Sequence, residues 1–269
     1  MAERLKVRKP SEYETIDDYL MYLRHQAAYQ FVFNHYSAQK RVIDLGCGTG
    51  YGTEFLANTG EFVVGVDRAG YALPLENQKD NLGFCVSDVT NLPFANSSFD
   101  IAVSFQVIEH IEKVNFFLNE AHRILSKDGV LILSTPNKKL RLFPLESPWN
   151  PYHVKEYNAI ELKSMLEKYF SYVQILGLQA TREIEQAEKR RIREVRYGRI
   201  RQFIINNLHK LPLGEQWVIV GQRFKRIIRF ATQFLVGGIV HKYESRISGS
   251  KQIPYYKTYT VEDYWVSDV

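Results

Sequence analysis

Three acids and a run of glycines stand in an order that chemistry can use. Residues 41–57, RVIDLGCGTGYGTEFLA, pass from an apolar run (Val42, Ile43, Leu45) through Gly46, Gly48 and Gly50 into a helix-forming stretch. Glycine in such a turn lets the backbone take positive φ and approach a ligand that any Cβ would push away. A helix start beyond it offers free N–H groups and the positive end of a dipole. Asp44 lies two residues before the first glycine, Asp67 follows the next apolar run (EFVVGV) and Asp88 follows the one after (GFCVS). An acid at 44 sits awkwardly beside a pyrophosphate but suits an ammonium group. Asp67 could accept from both hydroxyls of a ribose. Asp88 could accept from the exocyclic amine of adenine, with Val89 lending a backbone N–H. The dinucleotide fingerprint G-x-G-x-x-G fails, because the sixth position counted from Gly46 is Tyr51. Cys47, inside the turn, reads as a small residue beside a ligand, with a nucleophile as the alternative.

A second set of groups could move a proton or hold a cation. Glu109 and His110 follow the apolar run FDIAVSF (99–105), and His153 comes from a Pro- and aromatic-rich stretch, residues 137–155. Their chemistry is open between a general base, a metal site and a plain structural role, with Glu109 favoured at a helix start and His110 packed. Tyr51, Trp149, Tyr152 and Tyr157 could form an aromatic wall for a ring, or serve as ordinary packing. Arg24 and His25, just upstream, read as an exposed pair with an alternative role at the ligand.

Short strands alternating with helices must position these groups. Apolar positions at Ile16, Leu20, Leu23, Ala27, Phe31 and Val32 follow a helical period over 16–36. Strands are predicted at 42–45, 61–66, 83–87, 99–105, 130–134 and 171–178. Helices are predicted after the glycines and over 71–81, 111–125 (stopped by Lys127-Asp128-Gly129) and 159–169. This alternation predicts βαβ units around a mostly parallel sheet. After residue 180 it stops. A long Arg-rich helix is expected over 181–210 and a second, apolar one over 226–240, and 256–266 reads as a closing strand.

An amino-acid end, a ribose and an adenine together describe S-adenosylmethionine, and the motifs agree. VIDLGCGTGYG (42–52), VVGVD (63–67), SDVTNLPFANSSFD (87–100), VIEHI (107–111) and RILSKDGVLILSTPN (123–137) resemble the class I S-adenosylmethionine-dependent methyltransferases, in their broad small-molecule "type 11" branch. The resemblance runs from about Tyr22 to Leu178. It implies a Rossmann-like, mostly parallel seven-stranded α/β sheet with helices on both faces, carrying here a basic helical insertion before the last strand. It implies cofactor contacts from Asp44, Gly46, Cys47, Gly48, Gly50, Asp67, Arg68, Asp88, Val89 and Phe105, and a catalytic role for Glu109, His110 and His153. Gln106-x-x-Glu109-His110 with His153 is similar to metal-binding sets in small-RNA 3′-terminal 2′-O-methyltransferases and some ubiquinone-pathway O-methyltransferases. Both of those place Glu where this chain has Gln106, a neutral and weaker ligand for a hard cation. The expected domains are a methyltransferase core at 1–180, a basic helical insertion at 181–253 and a last core strand within 254–269. GTGYGTEFLA and NPYHVKEYNAIELKSML (150–166) look like methyltransferases found with polysaccharide-building enzymes. The expected acceptor is therefore a sugar, glycan or lipid-linked saccharide, methylated on oxygen. The alternatives are a quinol or small aromatic, a ribose of RNA, or a module that binds without turnover.

Composition sets the outer bounds. The 269 residues are 45% hydrophobic and 13% aromatic, enough for a packed core. Cys47 and Cys85 are the two cysteines, which fits a reducing compartment better than a disulfide framework. The opening MAERLKVRKP has no apolar h-region, and no run approaches the ~20 apolar residues of a spanning helix, so a cytoplasmic protein is expected. The net charge of +5 is uneven: residues 181–253 hold 16 Lys/Arg against six Asp/Glu, an excess of ten, leaving the rest of the chain at −5. A solvated helix face is the first reading of that segment. The others are contact with a membrane or lipid-linked substrate through 223–243, self-association, and nucleic acid, which the lack of a recognition motif disfavours.

Overall fold

The computed structural model describes residues 16–70, 79–142, 146–207 and 256–260. The helices are α1 (Ile16–His35), α2 (Tyr51–Leu56), α3 (Val114–Ile124), α4 (Lys138–Arg141), α5 (Ala159–Leu166) and α6 (Arg182–Asn207). The strands are β1 (Arg41–Leu45), β2 (Phe62–Asp67), β3 (Leu82–Val86), β4 (Phe99–Phe105), β5 (Leu125–Ser134), β6 (Leu176–Ala180) and β7 (Tyr256–Thr260). The chain divides into two compact units, Met1–Ala180 with Tyr255–Val269, and Thr181–Pro254.

β1 is the middle of a five-stranded sheet in the order β3-β2-β1-β4-β5, parallel throughout. Its alternation feeds two cores. Ile43 and Leu45 join Val64, Val66 and Ala102 against Phe117, Leu118, Ala121 and Ile124 of α3. Val42 joins Val63, Ile101, Val103 and Phe105 on the other face, against Tyr29 and Val32 of α1 and Leu56 of α2. Asp44 shares the parity of Val42, so the period of two turns this acid toward α1 and α2. A fully buried aliphatic side chain contributes ~1.5–3 kcal/mol, and Val42, Ile43 and Leu45 are all at 0% exposure. The sheet is also pinned at its amino edge, where the Arg41 guanidinium meets Asp100 on β4 at 2.8 and 3.2 Å.

From β1 the chain runs outward to β2 and β3, then returns to the far side of β1 with β4. The point where strand order reverses opens a crevice at the carboxyl ends of β1 and β4, the usual ligand position in such sheets. Gly46 and Gln106 stand at that crevice.

Several expectations are corrected. Among the described residues the parallel sheet has five strands, not seven. β6 and β7 form a separate antiparallel pair, Leu176 opposite Thr260 and Ala180 opposite Tyr256. The third amphipathic helix begins at Val114 and ends at Ile124, because Leu125 turns extended (φ −75°, ψ 140°) and opens β5. Lys127-Asp128-Gly129 therefore lies within β5 rather than capping a helix. α5 carries a full capping box, Asn158 with Glu161. The helix expected over 71–81 falls mostly, and the one over 226–240 wholly, outside the described residues. Among the described residues no helix is long and apolar enough to cross a membrane.

Candidate active site

The glycine turn is built by φ values that few other residues adopt: 82° at Gly46, 59° at Gly48 and 81° at Gly50. Space enforces the choice at Gly46, where an added Cβ would stand 2.5 Å from Val107 Cγ2. The turn is tied to β2. Gly46 and Cys47 donate N–H bonds to the Val66 carbonyl at 2.7 and 3.0 Å, and Gly48 N–H donates to Asp67 Oδ2 at 3.0 Å. Asp67 Oδ1 accepts from Ala69 N–H at 2.9 Å. The ribose candidate thus also shapes the loop. α2 is only six residues long, so loop amides matter more here than a helix dipole.

Asp44 is fully buried. Its Oδ2 accepts from the hydroxyls of Tyr29 (2.9 Å) and Thr53 (2.8 Å), while Oδ1 has no partner. Burial pushes this carboxyl up to about 7, against the lowering effect of Thr53 and Tyr29. A buried acceptor left unsatisfied costs folding free energy and awaits a donor. Tyr29 sits 15 residues upstream and carries no local motif signal; a Cβ on Gly52 would strike its ring at 2.0 Å. Cys47 is buried too, and burial with Asp44 and Asp67 nearby pushes its thiol well up, which removes the nucleophile alternative.

Asp88 is exposed at the end of β3, and its Oδ1 accepts both the N–H and the hydroxyl of Thr90 at 2.8 and 2.7 Å. Those bonds hold its pKa below the ordinary range, with help from Arg68. Val89 is half-buried against the α3-side core. Phe105 spends its ring on Tyr29, edge-on at 4.8 Å, so its side chain belongs to the core rather than to an open wall. The aromatic wall is likewise not assembled: Tyr51 packs on Tyr29, Tyr157 is buried in the opposite core, and Trp149 lies beneath Arg141. His25 is half-buried rather than exposed, and burial with Arg24 nearby holds it to about 4.

The proton-handling groups do converge. A single 3-10 turn, Ile108–His110, carries Glu109 and His110 past the end of β4, and the loop 149–157 folds onto it. Val154 and Lys155 N–H groups donate to the Glu109 carbonyl at 2.7 and 3.3 Å. His110 Nδ1 meets the Tyr152 carbonyl at 2.9 Å. A carbonyl only accepts, so Nδ1 bears the proton and Nε2 keeps its lone pair. Burial lowers His110 from its ordinary value, keeping it neutral near pH 7. Glu109 is at 0% exposure; Oε2 accepts from the Thr135 hydroxyl at 2.9 Å and Oε1 has no partner. Burial raises this carboxyl to about 7. The His110 and His153 rings stand edge to face at 4.7 Å. One donor atom from each of Glu109, His110 and His153 lies within 4.8 Å of the others, a spread that could also hold a cation. Gln106 adopts φ 57° and gives its Nε2 to Ser134 Oγ at 3.3 Å. Sequence reasoning missed Tyr29, Thr53, Thr135 and Glu156. Only contacts across the fold reveal them.

The donor set suits one cofactor. An orphaned buried acceptor in Asp44 fits an ammonium group, Asp67 at the β2 end fits a ribose diol, and the second oxygen of Asp88 fits an adenine amine. S-adenosylmethionine carries all three.

Comparison with known proteins agrees. Residues 43–133 match the family described as "Methyltransferase domain". A "Probable S-adenosylmethionine-dependent methyltransferase" of Mycolicibacterium smegmatis is 34% identical over 145 residues, 54% of this chain and 56% of that protein. A "Ubiquinone biosynthesis O-methyltransferase" of Azorhizobium caulinodans is 34% identical over 110 residues, 39% of this chain and 44% of its own length. The chain thus spans about half the length of the curated relatives it matches. The crystal structure of an S-adenosylmethionine dependent methyltransferase from Mesorhizobium loti superposes with a TM-score of 0.50 at 17% identity, covering 64% of this chain and 93% of that one, which supports the fold. The chain is thus similar over about half its length to S-adenosylmethionine-dependent methyltransferases, with the methyltransferase-domain match at residues 43–133 and a fold to suit.

Proposed function

We propose that the protein transfers a methyl group from S-adenosylmethionine to the hydroxyl oxygen of a small acceptor, with the Glu109–His110–His153 centre taking the hydroxyl's proton. The observation that carries the reading is the pair of imidazoles at the crevice. Each has Nδ1 committed to an acceptor, which leaves Nε2 as the nitrogen able to receive a proton. The cofactor supplies an electrophilic methyl: the acceptor oxygen bonds to carbon as the carbon–sulfur bond breaks, the electron pair stays on sulfur, and the neutral thioether S-adenosylhomocysteine remains. The chain's own part is placement and proton removal. Asp44, Asp67, Asp88 and the glycine turn hold the cofactor, and correct placement alone can supply much of the rate. The acceptor proton passes to an imidazole and then to water.

Base strength bears on the acceptor class. A neutral imidazole whose pKa is lowered by burial, as at His110, removes a phenolic proton (about 10 in tyrosine) far more readily than one from an alkyl hydroxyl, which is nearly as weak an acid as water. This favours a quinol or other aromatic hydroxyl, and the ubiquinone-pathway relative points the same way. The glycan acceptor expected from the sequence finds no support among these relatives and enters the test as an alternative.

The test is S-adenosylhomocysteine formation with a panel of catechols and quinols, nucleotide sugars, glycans and RNA. Turnover is expected with the aromatic hydroxyls, with His110→Ala and His153→Gln each losing roughly 10²-fold. Turnover on glycans or RNA alone would overturn the acceptor class. Activity unchanged in both variants would remove the proton centre, and loss to chelator that added Mg²⁺ or Mn²⁺ restores would replace it with a cation.

A further inference from the structure

The acceptor that takes His153 Nδ1 is a buried carboxylate with a countercharge of its own. Glu156 is 2% exposed, and its Oε1 meets His153 Nδ1 at 2.8 Å and Arg141 Nη1 at 3.3 Å. Arg141 comes from α4 and lays its guanidinium over the Trp149 ring at 5.4 Å. One carboxylate therefore joins α4 to the loop that delivers His153. Its charge also reaches across the site, since Glu156 is among the groups that raise Glu109.

The hydrogen-bond chemistry fixes what this contact does. A carboxylate oxygen accepts and does not donate, so the proton at the 2.8 Å contact sits on His153 Nδ1. Free neutral imidazole in water prefers the opposite, Nε2–H form. Which nitrogen carries the proton is set by the partner of the other, and here that partner is charged. An acid this deeply buried needs a countercharge, and Arg141 provides it.

We propose that Glu156, backed by Arg141, is the positioning residue that holds His153 as the Nδ1–H tautomer and so leaves its Nε2 lone pair for the acceptor hydroxyl. The proposal rests on the O-methyl transfer reading for its meaning in catalysis, but its first test does not need turnover.

That test is a two-bond ¹H–¹⁵N correlation spectrum of the full-length protein with ring-labelled histidine, His153 being assigned from a His153→Gln sample. The wild type is expected to show His153 protonated at Nδ1 with a far-downfield ring proton. Glu156→Leu, judged folded by circular dichroism, should move His153 to the Nε2–H form. Glu156→Gln, nearly the same shape, should keep Nδ1–H but shift its proton upfield, because a neutral amide oxygen accepts more weakly. This variant decides the matter if Glu156→Leu does not fold. A wild-type His153 in the Nε2–H form, or a resonance unmoved in the folded variants, would overturn the proposal. With whichever acceptor turns over, Glu156→Gln should cut kcat about tenfold with the KM for S-adenosylmethionine unchanged, and Glu156→Asp should recover part of the loss. A purely structural residue would change melting temperature without moving the tautomer. Should His110→Ala and His153→Gln both leave turnover intact, the proton centre fails, while the hold of Glu156 on the ring is still read from the spectra.

Discussion

Asp44 is the residue in which function and stability oppose each other. The folded chain holds it at about 7 through burial, whereas in the unfolded chain it titrates near 3.9. Between these values the folded state binds the extra proton, so the contribution of this one group to stability is greatest below about pH 4, falls as pH rises toward 7 and is flat above. Asn at this position keeps an oxygen for the Tyr29 and Thr53 hydroxyls and carries no charge to desolvate. Asp44→Asn should therefore gain stability relative to the wild type between pH 5 and pH 8, by on the order of 2–4 kcal/mol, read from urea midpoints. It should at the same time weaken S-adenosylmethionine, since the ammonium group loses its charged acceptor. A relative stability independent of pH would mean that the acid is not held at a raised pKa. Asp67 makes the complementary case. Asp67→Ala should weaken cofactor binding by ~1–3 kcal/mol, and wild-type affinity by calorimetry would remove the ribose assignment.

At the scale of elements, the glycine turn works because three constraints meet in it: positive φ, a neighbour too close for a Cβ, and N–H bonds to the end of β2. Gly46→Ala violates the first two and should cost ~1–3 kcal/mol of stability, together with measurable loss of cofactor affinity. Thermal melts and calorimetry check both, and an unchanged melting temperature would show that the turn relaxes freely. The turn and its acids were legible in the sequence because they sit at strand ends, where a short apolar run followed by Asp or Gly has local meaning. The end of α3 was not, since Lys127-Asp128-Gly129 has the composition of a helix stop, while the pairing of Leu125 with Phe99 extends β5 through it. The Asn158-to-Glu161 capping box carries a spacing signal that can be read from sequence. Glu156 and Arg141 carry none, because their partner is a histidine made important only by the folding of its loop. Glu109, His110 and His153 could be named as candidates, yet only the fold shows that a ligand atom from each meets within 4.8 Å.

At the scale of the molecule, the chain pairs an acidic α/β core with a basic segment placed between two strands that are partners. Ala180 lies opposite Tyr256, so the chain leaves the core and returns to it at one place. Replacing residues 181–255 by a two-residue Asn-Gly turn should therefore keep S-adenosylmethionine affinity within about threefold and leave a cooperative melt. Loss of binding in that variant would show that the basic segment helps to build the site. The membrane-contact stretch at 223–243 lies outside the described residues, so its charge pattern stands as a sequence expectation, tested by liposome sedimentation of the full chain against a 223–243 deletion. The glycine turn, the three acids and the proton centre all serve one ligand. Titration calorimetry of the full chain with S-adenosylmethionine is the most direct measurement: saturable one-to-one binding is expected, weakened in Asp67→Ala and not matched by NAD. Absence of binding heat across temperatures, or a preference for NAD, would show that the glycine turn and its acids do not form an S-adenosylmethionine site.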